Sequence, residues 1–164
     1  MKKPCEGHWS AKKRVLKYLN GTQDFGLKYT QMGGFSLIGY YDSDFDGDKE
    51  IGVSTSGYAM SLGSGVVSWR SCKQLVPTDS TTEAEYVVAV EAKKEIVWLR
   101  KILEYLQVKQ VQLTPLMIDN TSGIKLAKNP KFHDRTKHIN TKYHLIRHHV
   151  EAKTIHLRHC STNE

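Results

Sequence analysis

Between residues 35 and 106 the chain changes its hydrophobic period once, from two to about 3.6, and that switch limits its fold more than any other feature. FSLIGYYDSD (35–44), YAMSL (58–62) and VVSWR (66–70) are strand-like, and Gly63-Ser64-Gly65 joins the last two as a tight hairpin loop. The stretch 35–70 therefore predicts a three-stranded antiparallel meander. Ser80-Thr81-Thr82-Glu83 then matches a capping box, S/T-x-x-E, and opens a helix running to about Leu106. Val88, Ala92, Ile96, Leu99 and Leu103 form its inner stripe, widened by Trp98, Ile102 and Leu106.

The flanks complete the pattern. Residues 8–20 predict a short amphipathic helix, with Trp9, Val15, Leu16 and Leu19 apolar and Gly21 as its stop. DFGLKY (24–29) is strand-like, and Gly33-Gly34 marks the turn after it. Beyond the long helix come a strand over 111–119, a short helix over 121–128, and a basic loop over 130–137. A His-rich helix over 139–152 and a strand over 154–160 follow. A meander followed by alternating helices and strands predicts a mixed α/β (α+β) chain, its sheet covered by helices.

The chain has 164 residues, which suits one domain. It holds no apolar run of the roughly 18–20 residues that a membrane span needs, and MKKPCEGHWSAKKR has no apolar signal-peptide core. These features predict an intracellular protein without a membrane partner. Cys5, Cys72 and Cys160 are widely spaced and form no CxxC pair, so neither a zinc site nor a disulfide framework is indicated. Residues 144–148 read HLIRH rather than HExxH, which gives no zinc motif either. The net charge of +7 favours a polyanionic partner, and basic residues gather at Lys12, Lys13, Arg14 and Lys17 and again from Lys125 to Arg147. Solvated helix faces explain such clusters equally well.

Three carboxylates stand out. Asp is a poor strand former, yet Asp42 lies in the first meander strand on the face of Ile38 and Tyr40. A carboxylate there is costly unless hydrated, paired or bound to a cation. Glu83 has the ordinary work of capping a helix. Glu85, rotated by roughly 200° from it, sits among Ala84, Val88 and Ala89, where it is either a helix-surface residue or a functional one. Asp119 ends the strand LTPLMI, just before Asn120, and either residue serves as a helix cap. Three oxygen donors without thiolates suit a hard cation, Mg²⁺ or Mn²⁺. In a basic chain that combination points to metal-assisted phosphodiester chemistry.

The strings GYYDSDFDGD, STSGYAMSLGSGVVSWRSCKQ, STTEAEY, MIDNTSGIKLAKNPKFHDRTKHINTKYHLIR and LRHCSTNE closely resemble the RNase H domain of copia-type LTR retrotransposon Pol polyproteins. KPCEGHWSAKKRVLKYLNGTQDFGLKY resembles the connection between their reverse transcriptase and RNase H domains, so residues 1–30 are expected to be that connection and 31–164 the RNase H-like domain. The resemblance implies an RNase H fold: a five-stranded mixed sheet, three antiparallel strands then two parallel ones, flanked by helices. It implies hydrolysis of the RNA strand of RNA–DNA hybrids with two divalent ions, Mg²⁺ or Mn²⁺, and a reverse transcriptase domain in the same polyprotein. The family's catalytic and metal-binding acids match Asp42, Glu85 and Asp119. Thr82, Asn120 and Ser122 lie beside these acids and would either meet the 2′-hydroxyls that mark RNA or serve as helix caps. Arg135, Lys137 and His138 would meet phosphates, with solvation as the ordinary role of Arg135 and Lys137. His159 is a candidate proton shuttle, with packing or exposure as its ordinary roles.

The chain departs from the family pattern at 49–53, KEIGV, and at Asp79. The family's fourth acid lies in a final helix, in a motif like QxADxxTK, beyond Glu164. The chain as it stands is therefore expected to cut weakly or not at all. The alternative is a decayed or truncated fragment that keeps the fold and binds nucleic acid without catalysis. By lineage its place is cytoplasmic, in retroelement particles.

Overall fold

The period switch becomes a meander and a crossing helix in the computed structural model of the chain, which describes residues 3–30, 34–48, 53–74, 81–119 and 154–161. The elements are α1 (Glu6–Gly21), β1 (Leu37–Asp48), β2 (Val53–Leu62), β3 (Gly65–Lys73), α2 (Thr81–Tyr105), β4 (Thr114–Ile118) and β5 (Ile155–His159). They form one five-stranded sheet in the order β3-β2-β1-β4-β5. β1 to β3 are antiparallel neighbours, and β4 is parallel both to β1 and to β5. This is the mixed sheet that the sequence predicts. The helices expected over 121–128 and 139–152, the loop 130–137 and Ser80 lie outside the described residues.

The meander strands run longer than their apolar patterns. Val53 to Ser56 are mostly polar and precede the strand-like YAMSL, yet Asp44 pairs with Thr55 and Asp48 with Val53, with a register shift between. Ser54 and Ser56 are buried, because the strand continues under α2 wherever a neighbouring ladder exists. The strand expected over 24–29 does not form. Phe25, Leu27 and Tyr29 are exposed; the Phe25 N–H donates to the Thr22 carbonyl at one end, and the segment meets the β2–β3 hairpin at the other. There the Tyr29 hydroxyl donates to the Val66 carbonyl and the Thr30 N–H donates to Ser64 Oγ at 2.8 Å. At the hairpin tip Gly63 takes φ +59°, and a Cβ there would strike the Gly34 carbonyl oxygen. α1 forms as expected but buries no residue: Trp9, Val15, Leu16 and Leu19 all face solvent. Lys12 and Lys13 lie over the Trp9 ring, 5.9 and 5.4 Å from its centre.

α2 covers one face of the sheet with the stripe read from its period. Val88, Ala92 and Ile96 are fully buried against Leu37, Met60, Leu116, Ile118 and Ile155, each such large side chain stabilising by ~1.5–3 kcal/mol. Trp98 and Leu106, expected to widen the stripe, are exposed: Trp98 lies roughly 200° around the helix from buried Ile96, and Leu106 is one residue past the end of α2. Ser68 Oγ donates to Glu95 Oε1 at 2.6 Å and fixes the helix laterally. Arg100 anchors the far end of α2, donating to the carbonyls of Gln110 and Gln112 and to Thr114 Oγ1. The opposite face of the sheet is open among the described residues. Trp69, Ala59, Tyr40, Met117 and Arg158 form one row across it, and Trp69 is 67% exposed.

Lys93 is a cost within this helix. It is only 5% exposed, and no described carboxylate pairs with it. Burial pushes its ammonium below the ordinary lysine range, and Lys94 adds to the shift. Below the lowered folded value the ammonium is charged in both states, and folding bears its desolvation. As pH rises from that value toward ~10.5 only the unfolded chain keeps the proton, so folding stability rises. Lys93→Met is therefore expected to stabilise the protein by ~1–2 kcal/mol at pH 7 and to flatten the alkaline rise, as read by urea unfolding across pH.

Candidate functional site

Asp42 and Asp119 come level through strand pairing. The β1–β4 register matches Gly39 with Leu116 and Tyr40 with Met117, and two further residues bring Asp42 beside Asp119. Asp119 stands just past the carboxyl end of β4, where ligand sites of open α/β sheets form, and Asp42 lies beside it midway along β1. Leu37 and Tyr41 are buried toward α2 whereas Tyr40 and Asp42 are exposed, so Asp42 leaves the sheet on the open face. Its carboxylate is exposed there, which avoids the cost of burying an acid within a strand. The Ser43 N–H donates to Asp42 Oδ1 at 2.7 Å, leaving Oδ2 as the oxygen available to a ligand.

Asp119 is exposed one residue beyond β4. Its main-chain oxygen lies 3.0 Å from His159 Nε2, a bond that His159 donates in the Nε2–H form. The Cys160 N–H donates to the Ile118 carbonyl at 2.9 Å, so the end of β5 holds the backbone on which Asp119 stands. This gives His159 a bond at the site, through the backbone and not through a carboxylate.

Glu85 reaches the same end of the sheet from the α2 side. Ile96 packs on Gly39, and eleven residues earlier, ~16 Å back along the helix axis, lies Glu85. It is 8% exposed, among Ala84, Val88 and Ala89, which rules out the helix-surface role. Burial of a carboxylate on an apolar helix face is costly. The junction before it is set by Gln74, which the sequence reading passed over. Gln74 Nε2 donates to Ser56 Oγ at 2.9 Å and to the Ala84 carbonyl at 3.0 Å. No periodicity signals such a residue; only its place at the end of β3, in the string WRSCKQ, singles it out.

The elements thus place Asp42 and Asp119 level on adjacent strands, Asp42 directed to the open face, and Glu85 on the α2-covered side near the Ser43–Ser56 rung. As donors they fit a hard divalent cation in kind: all are carboxylates, and no thiolate competes. Among the described residues no three His, Cys, Asp or Glu side chains converge on one point as placed. Asn120, Ser122, Arg135, Lys137 and His138 lie outside the described residues, as does the side chain of Thr82.

No family model matches the chain. Among curated proteins, the Retrovirus-related Pol polyprotein from transposon RE2 of Arabidopsis thaliana is 38% identical over 164 residues, covering 100% of this chain and 11% of its own length. That from transposon TNT 1-94 of Nicotiana tabacum is 39% identical over 166 residues, 100% of this chain and 12% of its own. The chain thus spans roughly a tenth of these polyproteins. Secreted RxLR effector protein 161 of Plasmopara viticola is 52% identical over 96 residues, 58% of this chain and 68% of the effector. Two solved structures share the fold at low identity. LC11-RNase H1 in complex with RNA/DNA hybrid gives a TM-score of 0.56 at 11% identity, over 78% of this chain and 87% of that one. The N-terminal RNase H domain of rv2228c from Mycobacterium tuberculosis gives 0.56 at 10% identity, over 80% and 86%.

Proposed function

The chain belongs to the copia-type retrotransposon Pol family and has an RNase H-like fold, and on that premise we propose that it is the ribonuclease H module of such a polyprotein, cutting the RNA strand of RNA–DNA hybrids. The observation that carries this reading is the placement of Asp42 and Asp119 level on adjacent parallel strands, with buried Glu85 on α2 near the neighbouring Ser43–Ser56 rung. The effector relative matches 96 residues where the Pol polyproteins match the whole chain, so the Pol relationship has the wider support.

Asp42, Glu85 and Asp119 would hold Mg²⁺ or Mn²⁺, two ions in the family's pattern. Divalent ions at such a site supply Lewis-acid activation of water and charge stabilisation at the phosphodiester. Asp42 offers Oδ2, since its Oδ1 is engaged by the Ser43 N–H. Glu85 brings a carboxylate that is already desolvated, and so needs little reorganisation to bind a cation. His159 holds the backbone of Asp119 and keeps that carboxylate at the strand end. Thr82, Asn120 and Ser122 are proposed to read the 2′-hydroxyls, and Arg135, Lys137 and His138 to meet the phosphates. Residues 1–30 are read as the link from a reverse transcriptase domain in the same polyprotein; a helix that buries none of its own apolar residues suits that place. No described helix is long and apolar enough to cross a membrane, and retroelement particles in the cytoplasm are the proposed setting.

The test is cleavage of an RNA–DNA hybrid labelled on both strands, with Mg²⁺ or Mn²⁺ added or chelated. The expected result is slow, metal-dependent cutting of the RNA strand alone, reduced at least ~100-fold by Asp42→Asn. Cutting that survives Asp42→Asn or chelation overturns the assignment. A second reading, hybrid binding without catalysis, draws support from the absence of a three-carboxylate cluster among the described side chains. It expects hybrid binding but no cutting with either metal.

A further inference from the structure

The region beneath the first turns of α2 differs from the rest of the core. Farther along, α2 lies on Met60, Leu116 and Ile118; here it lies on buried Ser54, Ser56 and Gln74. Gln74 is itself only 8% exposed. Its backbone N–H donates to the Ser54 carbonyl at 2.8 Å, which fixes the residue to β2. Its side-chain amide then spans two elements, donating to Ser56 Oγ on β2 and to the Ala84 carbonyl on α2. That carbonyl belongs to the peptide that leads into Glu85. Ser56 pairs across the ladder with Ser43, the residue after Asp42, and Asp42 itself pairs with Gly57. One side chain therefore joins the peptide entering Glu85 to the rung beside Asp42. No described donor reaches Gln74 Oε1, so among the described residues the amide bonds through its N–H end.

We propose that Gln74 is a positioning residue for the candidate cation site: its amide sets where Glu85 stands relative to the Asp42 end of the sheet, and through that spacing sets divalent-cation affinity. The proposal rests on the metal-site reading above and adds a residue to it. The physical basis is general. Groups that orient metal-binding carboxylates through hydrogen bonds govern affinity without touching the ion. A buried amide with both donors engaged holds its partners more closely than apolar packing does, because leaving either donor bare is costly. Gln74→Met keeps the volume of the side chain and removes both donors. Ser56→Ala frees one end of the amide and leaves the other bonded.

The test is Mn²⁺ affinity of the full 164-residue chain, read from the electron paramagnetic resonance signal of free Mn²⁺, with thermal melting of every variant. Gln74→Met is expected to weaken binding roughly 10-fold or more, and Ser56→Ala to weaken it less in the same direction. Leu103→Val loosens α2 at its other end, and is expected to lower the melting temperature while binding Mn²⁺ like the wild type. Unchanged affinity in folded Gln74→Met or in Ser56→Ala, where Glu85→Gln does weaken binding, overturns the role of Gln74 alone. Affinity that ignores Glu85→Gln overturns the metal site, and the role of Gln74 with it. A loss in Leu103→Val equal to that in Gln74→Met shows a general stability effect and also overturns the proposal.

Discussion

Glu85→Gln is expected to lower metal-dependent cleavage of an RNA–DNA hybrid by ~100-fold or more while the protein still folds. The substitution keeps the shape of the side chain and removes its charge, so packing against Ala84, Val88 and Ala89 is retained. Two other roles for Glu85 make different forecasts. A solvated helix residue would change neither activity nor melting. A purely structural carboxylate would shift melting and lower activity only by the fraction unfolded. The decisive measurement is single-turnover cleavage at saturating Mn²⁺, paired with thermal melting of the same preparations. Activity that falls only in step with the folded fraction removes Glu85 from the site. Asp42→Asn is the companion, because its exposed side chain contributes little packing and its loss should act on cleavage alone.

Gly39→Val is expected to destabilise the fold by about 3 kcal/mol, a fall in melting temperature of roughly 6–12 °C for a chain of this size. Two effects compete at this position. Valine favours strands and glycine weakens them, so propensity alone forecasts a gain. Packing forecasts the reverse. A Cβ at Gly39 would lie 3.0 Å from Ile96 Cδ1, Leu116 Cδ1 and Met60 Sδ, which come from α2, β4 and β2. All three neighbours are fully buried and have no free volume into which to withdraw. Valine adds two further methyls, and the propensity scale spans only ~1 kcal/mol, so packing wins. Gly39→Ala should fall between, near 1 kcal/mol. Urea unfolding of the pair settles the matter: a valine variant more stable than wild type would show that α2 does not lie this close to β1.

Much of this architecture is legible in local pattern. The meander, the long helix and the last strand follow from hydrophobic period and turn residues, which act over a few positions. The errors have physical reasons. Ser54 to Ser56 are polar, yet they form strand because β1 and the end of β3 lie on either side of them. DFGLKY has the composition of a strand and no partner ladder among the described residues, so it stays irregular, with Tyr29 and Thr30 anchored to the hairpin. Trp98 sits in a helical apolar pattern but roughly 200° around α2 from buried Ile96.

The candidate site divides in the same way. Asp42, Glu85 and Asp119 are identifiable in the sequence because a carboxylate in a strand, on an apolar helix face or at a strand end departs from local preference. Their relation to one another is not. That Asp42 stands beside Asp119 depends on a parallel register between strands more than seventy residues apart in the chain. That Glu85 is buried depends on how α2 lies over the meander, and its spacing from Asp42 depends on Gln74, whose two acceptors are 18 and 10 residues away. Sequence alone determined the long helix, the hairpin and which acids are out of place, since these follow from near neighbours along the chain. Tertiary structure alone decided which acids stand level, which is buried and what holds it, since these follow from contacts between distant residues whose energies no local pattern contains.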